Sequence, residues 1–186
     1  MTVTALDPNS ALIVIDLQKG IVSRAPADLI GDVLKNAAAL AAAFRAHDLP
    51  VVLVNVAGGA PGRTETSLAG GTPPPDWTDL APELDRQPAD HLVTKRTWGA
   101  FVNTNLEAYL KAKDVTQVVI AGVATSIGVE STARQAYELG FNVTLAVDAM
   151  TDMSADAHAN SVTRIFPRIG ETGTSSEIAD LIRRSR

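Results

Sequence analysis

Two ionisable side chains stand where apolar runs end. Asp16 lies in Val-Ile-Asp-Leu-Gln, near the end of the run Ala11–Leu17, and Lys95 follows the weaker run His91–Thr94 in Val-Thr-Lys-Arg-Thr-Trp-Gly-Ala-Phe. An acid at the carboxyl end of a buried strand is half-withdrawn from water, the setting of a general acid or base. Asp16 reads equally as a cap on a neighbouring loop or helix, and Lys95 alone reads as a solvated lysine at a loop start. No cysteine occurs among the 186 residues. No thioester can form, and any hydrolysis proceeds without sulfur.

Residues that could hold a substrate are thinner on the ground. Arg63, in Gly-Ala-Pro-Gly-Arg-Thr-Glu, could fork onto a carboxylate or simply be solvated. Asn55 ends the run Val51–Val56 and could donate a hydrogen bond. Trp98 and Phe101 follow Lys95 closely and could wall a planar, apolar pocket, or pack in the core or a subunit contact. His47, His91 and His158 are scattered without ligand spacing, so no metal and no cofactor is expected.

These residues need a frame. The runs Ala11–Leu17, Val51–Val56 and Val118–Ala121 are nearly continuous in aliphatic residues, with Val143–Val147 a fourth and His91–Thr94 a fifth. Such runs suit strands buried on both faces of a parallel sheet. Between the first two lies Ala-rich Leu29–Ala46, with Asp28 as its expected N-cap. Thr104 with Glu107, and Thr174 with Glu177, have capping-box spacing ahead of Leu106–Leu110 and Ile178–Ile182. Gly140 is placed to close a helix that begins near Ile127. Strand alternating with helix predicts a single domain over residues 1–186, an α/β three-layer doubly wound, Rossmann-like fold. Residues 57–90, with Gly58, Gly59, Gly62 and Pro73–Pro75, break the rhythm. They read as a flap over a cleft at the strands' carboxyl ends or as a surface insertion.

Composition narrows the partners. Hydrophobic residues make up 46% of the chain and aromatic ones 4%, so the core is built from small aliphatic side chains. A net charge of −5 and basic clustering only at Arg183, Arg184 and Arg186 give no footprint for nucleic acid. The first residues lack a secretory pattern, and no apolar stretch is long enough to span a bilayer, so a cytoplasmic protein acting on a small molecule is expected.

Taken together, Asp16, the Lys-x-x-x-x-x-Phe of 95–101, Gly-Val-Ala-Thr at 122–125 and Val-x-x-Thr-Ala-Arg at 129–134 resemble the isochorismatase-like hydrolase superfamily. The resemblance runs from Ala11 to about Glu177 and is most specific over 117–152. It implies a mostly parallel six-stranded sheet flanked by helices, an Asp, Lys, Cys triad at the strand ends, and dimers or tetramers. Asp16 and Lys95 match that triad, whereas the cysteine position holds Gly128. A non-proline cis peptide would fall at Val123–Ala124, with Val123, Ala124 and Thr125 beside the substrate.

In the cysteine members a thiol acidified at a helix N-terminus attacks and backbone amides hold the oxyanion. Thr125, Ser126 and Ser131 are nearby hydroxyls, but none is at the matching position, and a hydroxyl needs a stronger base than a carboxylate. Isochorismatases that lack the cysteine hydrolyse a vinyl ether without a covalent intermediate. By that resemblance the chain is a hydrolase of a small, anionic substrate with Asp16 as acid or base. The alternatives are a catalytically impaired relative from the amidase lineage that binds or assembles, and a cysteine hydrolase whose nucleophile was replaced.

The acid role turns on ionisation. A Lys ammonium about 4 Å from a carboxylate, at an effective dielectric of ~20, favours the charged form by about 4 kcal/mol, or roughly 3 pH units. Burial raises a carboxylate by a similar ~3–5 units. The two nearly cancel, so protonated Asp16 requires either that burial wins or that a substrate carboxylate occupies Lys95.

Overall fold

The computed structural model describes residues 3–65 and 73–184. Six strands form one sheet: β1 (Ser10–Ile15), β2 (Val51–Val56), β3 (His91–Lys95), β4 (Gln117–Val123), β5 (Asn142–Thr151) and β6 (Glu171–Gly173). Their order is β3-β2-β1-β4-β5-β6, and every pair is parallel rather than mostly so. Chain direction reverses its march across the sheet between β1 and β4. In open α/β sheets that switch point opens a crevice at the carboxyl ends of the strands.

Alternation along the strands divides the core into two layers. Leu12, Val14, Leu53, Val119 and Ala121 face α2 (Ile30–Ala46) and α6 (Ser175–Arg184), through Leu40, Phe44, Ile178 and Ile182. Ile13, Ile15, Val54 and Ile120 face α3 (Leu106–Lys111) and α4 (Glu130–Glu138), through Leu106, Leu110, Ala133 and Ala136. Continuous aliphatic runs satisfy both layers at once, which is why they read clearly in the sequence.

Local signals fare unevenly. The Thr174–Glu177 box forms in both directions, Glu177 N donating to Thr174 Oγ1 at 3.2 Å and Thr174 N to Glu177 Oε2 at 2.8 Å. The Thr104 box forms by half: Thr104 Oγ1 accepts from Leu106 N at 3.3 Å, but Glu107 pairs with Lys111 instead. Asp28 is not the N-cap of α2, because a turn closed on the Pro26 carbonyl delivers Leu29 to that place. Gly140 has φ +87 after α4, as a closing glycine should. β5 runs past Val147 to Thr151, absorbing a register shift opposite Ile120–Gly122.

Two short helices lay outside the sequence reading, α1 (Lys19–Val22) and the 3-10 turn Pro82–Leu84, and α5 (Ala155–Asn160) follows β5. No helix of the described residues is long and apolar enough to cross a membrane.

The long connection between β2 and β3 is not uniform. Residues 57–65 run over the surface, residues 66–72 lie outside the described residues, and the remainder is strapped down. Gln18 Oε1 accepts from Val56 N at 2.6 Å, and its Nε2 donates to the carbonyls of Val56 and Trp77. Leu84 is buried, and Arg45 grips both its carbonyl and the Asp90 carboxylate.

Candidate active site

At the carboxyl end of β1 the backbone turns left-handed: Asp16 has φ 51. Strict alternation would place it with Leu12 and Val14 on the α2 face. Instead its carboxylate meets Lys95, whose strand neighbour Val93 belongs to the α3 and α4 layer. Aspartate tolerates this conformation better than most residues.

Lys95 Nζ lies 2.7 Å from Asp16 Oδ2, and it also donates to the carbonyls of Thr97 at 3.2 Å and Trp98 at 2.8 Å. An ammonium has three protons. All three are engaged, so Lys95 keeps none for a substrate carboxylate, and that sequence-based option falls away. Both side chains are nearly sealed from solvent, and Asp16 Oδ1 is buried without a partner. Burial pushes the Asp16 carboxyl up to about 6, against the lowering effect of the Lys95 charge and hydrogen bond. Desolvation outweighs the Lys95 charge at this carboxyl.

Gly128 arrives from the other side of the switch point. Gly122 makes that approach possible: with φ +121, it sits where a Cβ would lie 2.0 Å from the Ile15 carbonyl oxygen, so β4 presses onto β1 as no side chain would permit. The Val123–Ala124 bond is cis, and residues Thr125–Val129 form a π-turn that leads into α4. A Cβ on Gly128 would stand 3.0 Å from Ile15 Cγ2 and 3.2 Å from Asp16 Oδ2. The turn therefore forms a wall of the Asp16 site, and Oδ2 is the oxygen that faces both Lys95 and Gly128.

The remaining sequence candidates disperse. Asn55 is buried; its Nδ2 donates to Thr78 O at 2.9 Å, and its Oδ1 has no hydrogen-bond partner. Trp98 joins the site through its carbonyl; the side chain is 62% exposed. Phe101 is buried in the α3 and α4 layer, stacked on Phe141 with centroids 6.1 Å apart. Arg63 is exposed in the loop after β2. Thr125 is fully buried beside His158, their Oγ1 and Nδ1 separated by 2.8 Å.

Nothing in the sequence pointed to Asp152, and His158 read there only as one of three scattered histidines. Asp152 Oδ2 accepts from both the amide and the hydroxyl of Ser126, at 2.7 and 2.8 Å. Ser154 caps α5 and so places position 158 one turn on, but nothing local ties that turn to Thr125.

Among the described residues no group of three or more His, Cys, Asp or Glu could hold a metal ion. A concavity of about 560 Å³ lies among Asp7, Gln117, Asn142 and Arg168, at the amino ends of β4 and β5. It gathers none of Asp16, Lys95 or Gly128.

The family model for the isochorismatase domain matches residues 10–177. The isochorismatase family protein YwoC of Bacillus subtilis is 42% identical over 181 residues, covering 94% of each chain. The ureidoacrylate amidohydrolase RutB of Variovorax paradoxus is 31% identical, over 80% of this chain and 71% of its own. An isochorismatase family protein structure from Burkholderia thailandensis superposes with a TM-score of 0.91 at 40% identity, covering 96% of this chain and 98% of that one. Sequence and architecture agree along nearly the whole chain, and the protein belongs to the isochorismatase family of hydrolases.

Proposed function

We propose that the protein is a cysteine-independent hydrolase of a small, anionic enol ether, with Asp16 as the reacting acid. The observation that carries this reading is a buried carboxyl whose Oδ2 faces Lys95 and the side-chain-free position 128, with desolvation pushing it up to about 6. Burial raises the share of Asp16 that holds its proton near neutrality, as an acid requires.

Proton transfer from Asp16 to the terminal enol carbon gives an oxocarbenium ion and leaves a carboxylate, which the Lys95 ammonium stabilises in place. Water adds to the cation and gives its proton back to Asp16. The hemiketal then collapses to a ketone and an alcohol; for an enolpyruvyl ether these are pyruvate and the freed alcohol. No bond to the protein forms. The absence of cysteine is consistent with this course, and the hydroxyls of Thr125 and Ser126 are occupied by His158 and Asp152.

A role confined to binding would gain little from a buried ion pair, whose desolvation costs several kcal/mol. The test is incubation with isochorismate and enzymatic detection of pyruvate, for the wild type and Asp16→Asn across pH. Release should slow as pH rises through about 6 and fall by at least ~10²-fold in the variant. Equal rates in the two proteins, or a wild-type rate that holds far above neutrality, would refute the assignment.

A further inference from the structure

One connection grips the turn that carries Gly128. Between β5 and β6, Asp152 accepts from Ser126 N and Oγ, His158 Nδ1 meets Thr125 Oγ1 at 2.8 Å, and Ser161 Oγ donates to Glu130 Oε2 at 2.6 Å. The three ties fall on positions 125, 126 and 130, on both sides of Gly128. The segment they hold is a π-turn, a rare form frequent at functional sites.

Of the three, the tie at Thr125 reaches deepest. Thr125 has no exposed surface, and a hydroxyl so placed needs a partner. The imidazole supplies it from α5, 33 positions away in the chain. Three residues further along, Gly128 lies so close to Ile15 and Asp16 that an added Cβ would stand 3.0 and 3.2 Å from their side chains. Outward movement of this turn would take one wall away from Asp16 Oδ2 and bring water nearer to it.

We infer that His158 is a positioning residue: acting through Thr125, it holds the turn 125–129, and Gly128 with it, closed against the Asp16 carboxylate. The catalytic meaning of this role rests on the enol-ether reading, but the role itself is measurable without substrate. Asp16 owes its high midpoint chiefly to burial, so a loosened wall should lower that midpoint.

The experiment is a ¹³C NMR titration of the Asp16 carboxyl in the intact wild type and in His158→Ala, His158→Asn and Thr125→Val. The wild type should titrate at about 6. His158→Ala and Thr125→Val should titrate lower by roughly one unit or more, the direction that hydration imposes. Asparagine offers a polar atom at the δ position, and His158→Asn should stay near the wild type. A tie with only a structural role would lower the melting temperature and leave the Asp16 midpoint in place. An unmoved midpoint in folded His158→Ala or Thr125→Val overturns the inference, as does an Asn variant that titrates like Ala. Should His158→Ala fail to fold, Thr125→Val decides alone, since it nearly preserves shape and removes only the hydroxyl. Normal midpoint shifts without any pyruvate release would sink the enol-ether reading and leave this inference standing.

Discussion

Replacing Asp16 with asparagine should change how stability depends on pH, and the size of the change follows from the site. The carboxyl moves from an ordinary 3.8 to about 6 on folding because burial outweighs Lys95. A raised folded-state midpoint means that the native protein holds this proton more tightly than the unfolded chain. Its stabilising contribution is full below 3.8 and is lost as pH rises through about 6. The difference between those midpoints corresponds to about 3 kcal/mol. Asparagine keeps an acceptor for Lys95 Nζ and has no proton to lose. Urea unfolding of both proteins at a series of pH values from about 3 to 8 supplies the test, because subtracting one curve from the other cancels the remaining carboxylates. The stability of the wild type relative to the variant should fall by about 3 kcal/mol across the window, nearly all of it between 3.8 and about 6. A flat difference would show that burial and Lys95 cancel. A difference that rises with pH would show that the ion pair dominates, and either outcome removes the basis for an acid at Asp16.

Two further substitutions probe the same site from its other walls. Lys95→Met removes both influences that lower Asp16, so the carboxyl should titrate above about 6 and the alkaline limb of turnover should move up with it; a downward shift in the NMR titration contradicts the pairing. Gly128→Ala would ordinarily stabilise a helical turn by roughly 0.5–1 kcal/mol. Here the new Cβ would stand 3.0 Å from Ile15 Cγ2 and 3.2 Å from Asp16 Oδ2. A net loss of about 1–3 kcal/mol in urea unfolding is expected from such overpacking, and a net gain would mean that the site has slack.

The parts of the fold legible in sequence were those with a regular period. Ala11–Leu17 and Val51–Val56 announce central strands because both of their faces must be apolar, and the Thr174–Glu177 box is complete within four residues. Asp28 misled because a proline-led turn competes with a side-chain cap, and Glu107 because Lys111 is a closer partner than an N-terminal amide. The connection from 57 to 90 read as one loop, yet Gln18, Arg45 and Asp90 anchor its second half through contacts separated by tens of residues.

Asp16, Lys95 and Gly128 were recognisable as a set by their residue types and by the motifs around them. The chain by itself also determined that no sulfur nucleophile exists. What only the tertiary structure decided is the state of that set. The left-handed turn at Asp16 swings its carboxylate to the α3 and α4 face, the carbonyls of Thr97 and Trp98 take the other protons of Lys95, and Gly122 lets the turn of Gly128 close over Oδ2. Asn55 spends a donor on the Thr78 carbonyl, and His158 turns from a stray histidine into the partner of Thr125. Each depends on burial and on which group takes the last free valence, and these are settled by strands and loops that meet only when the sheet is assembled.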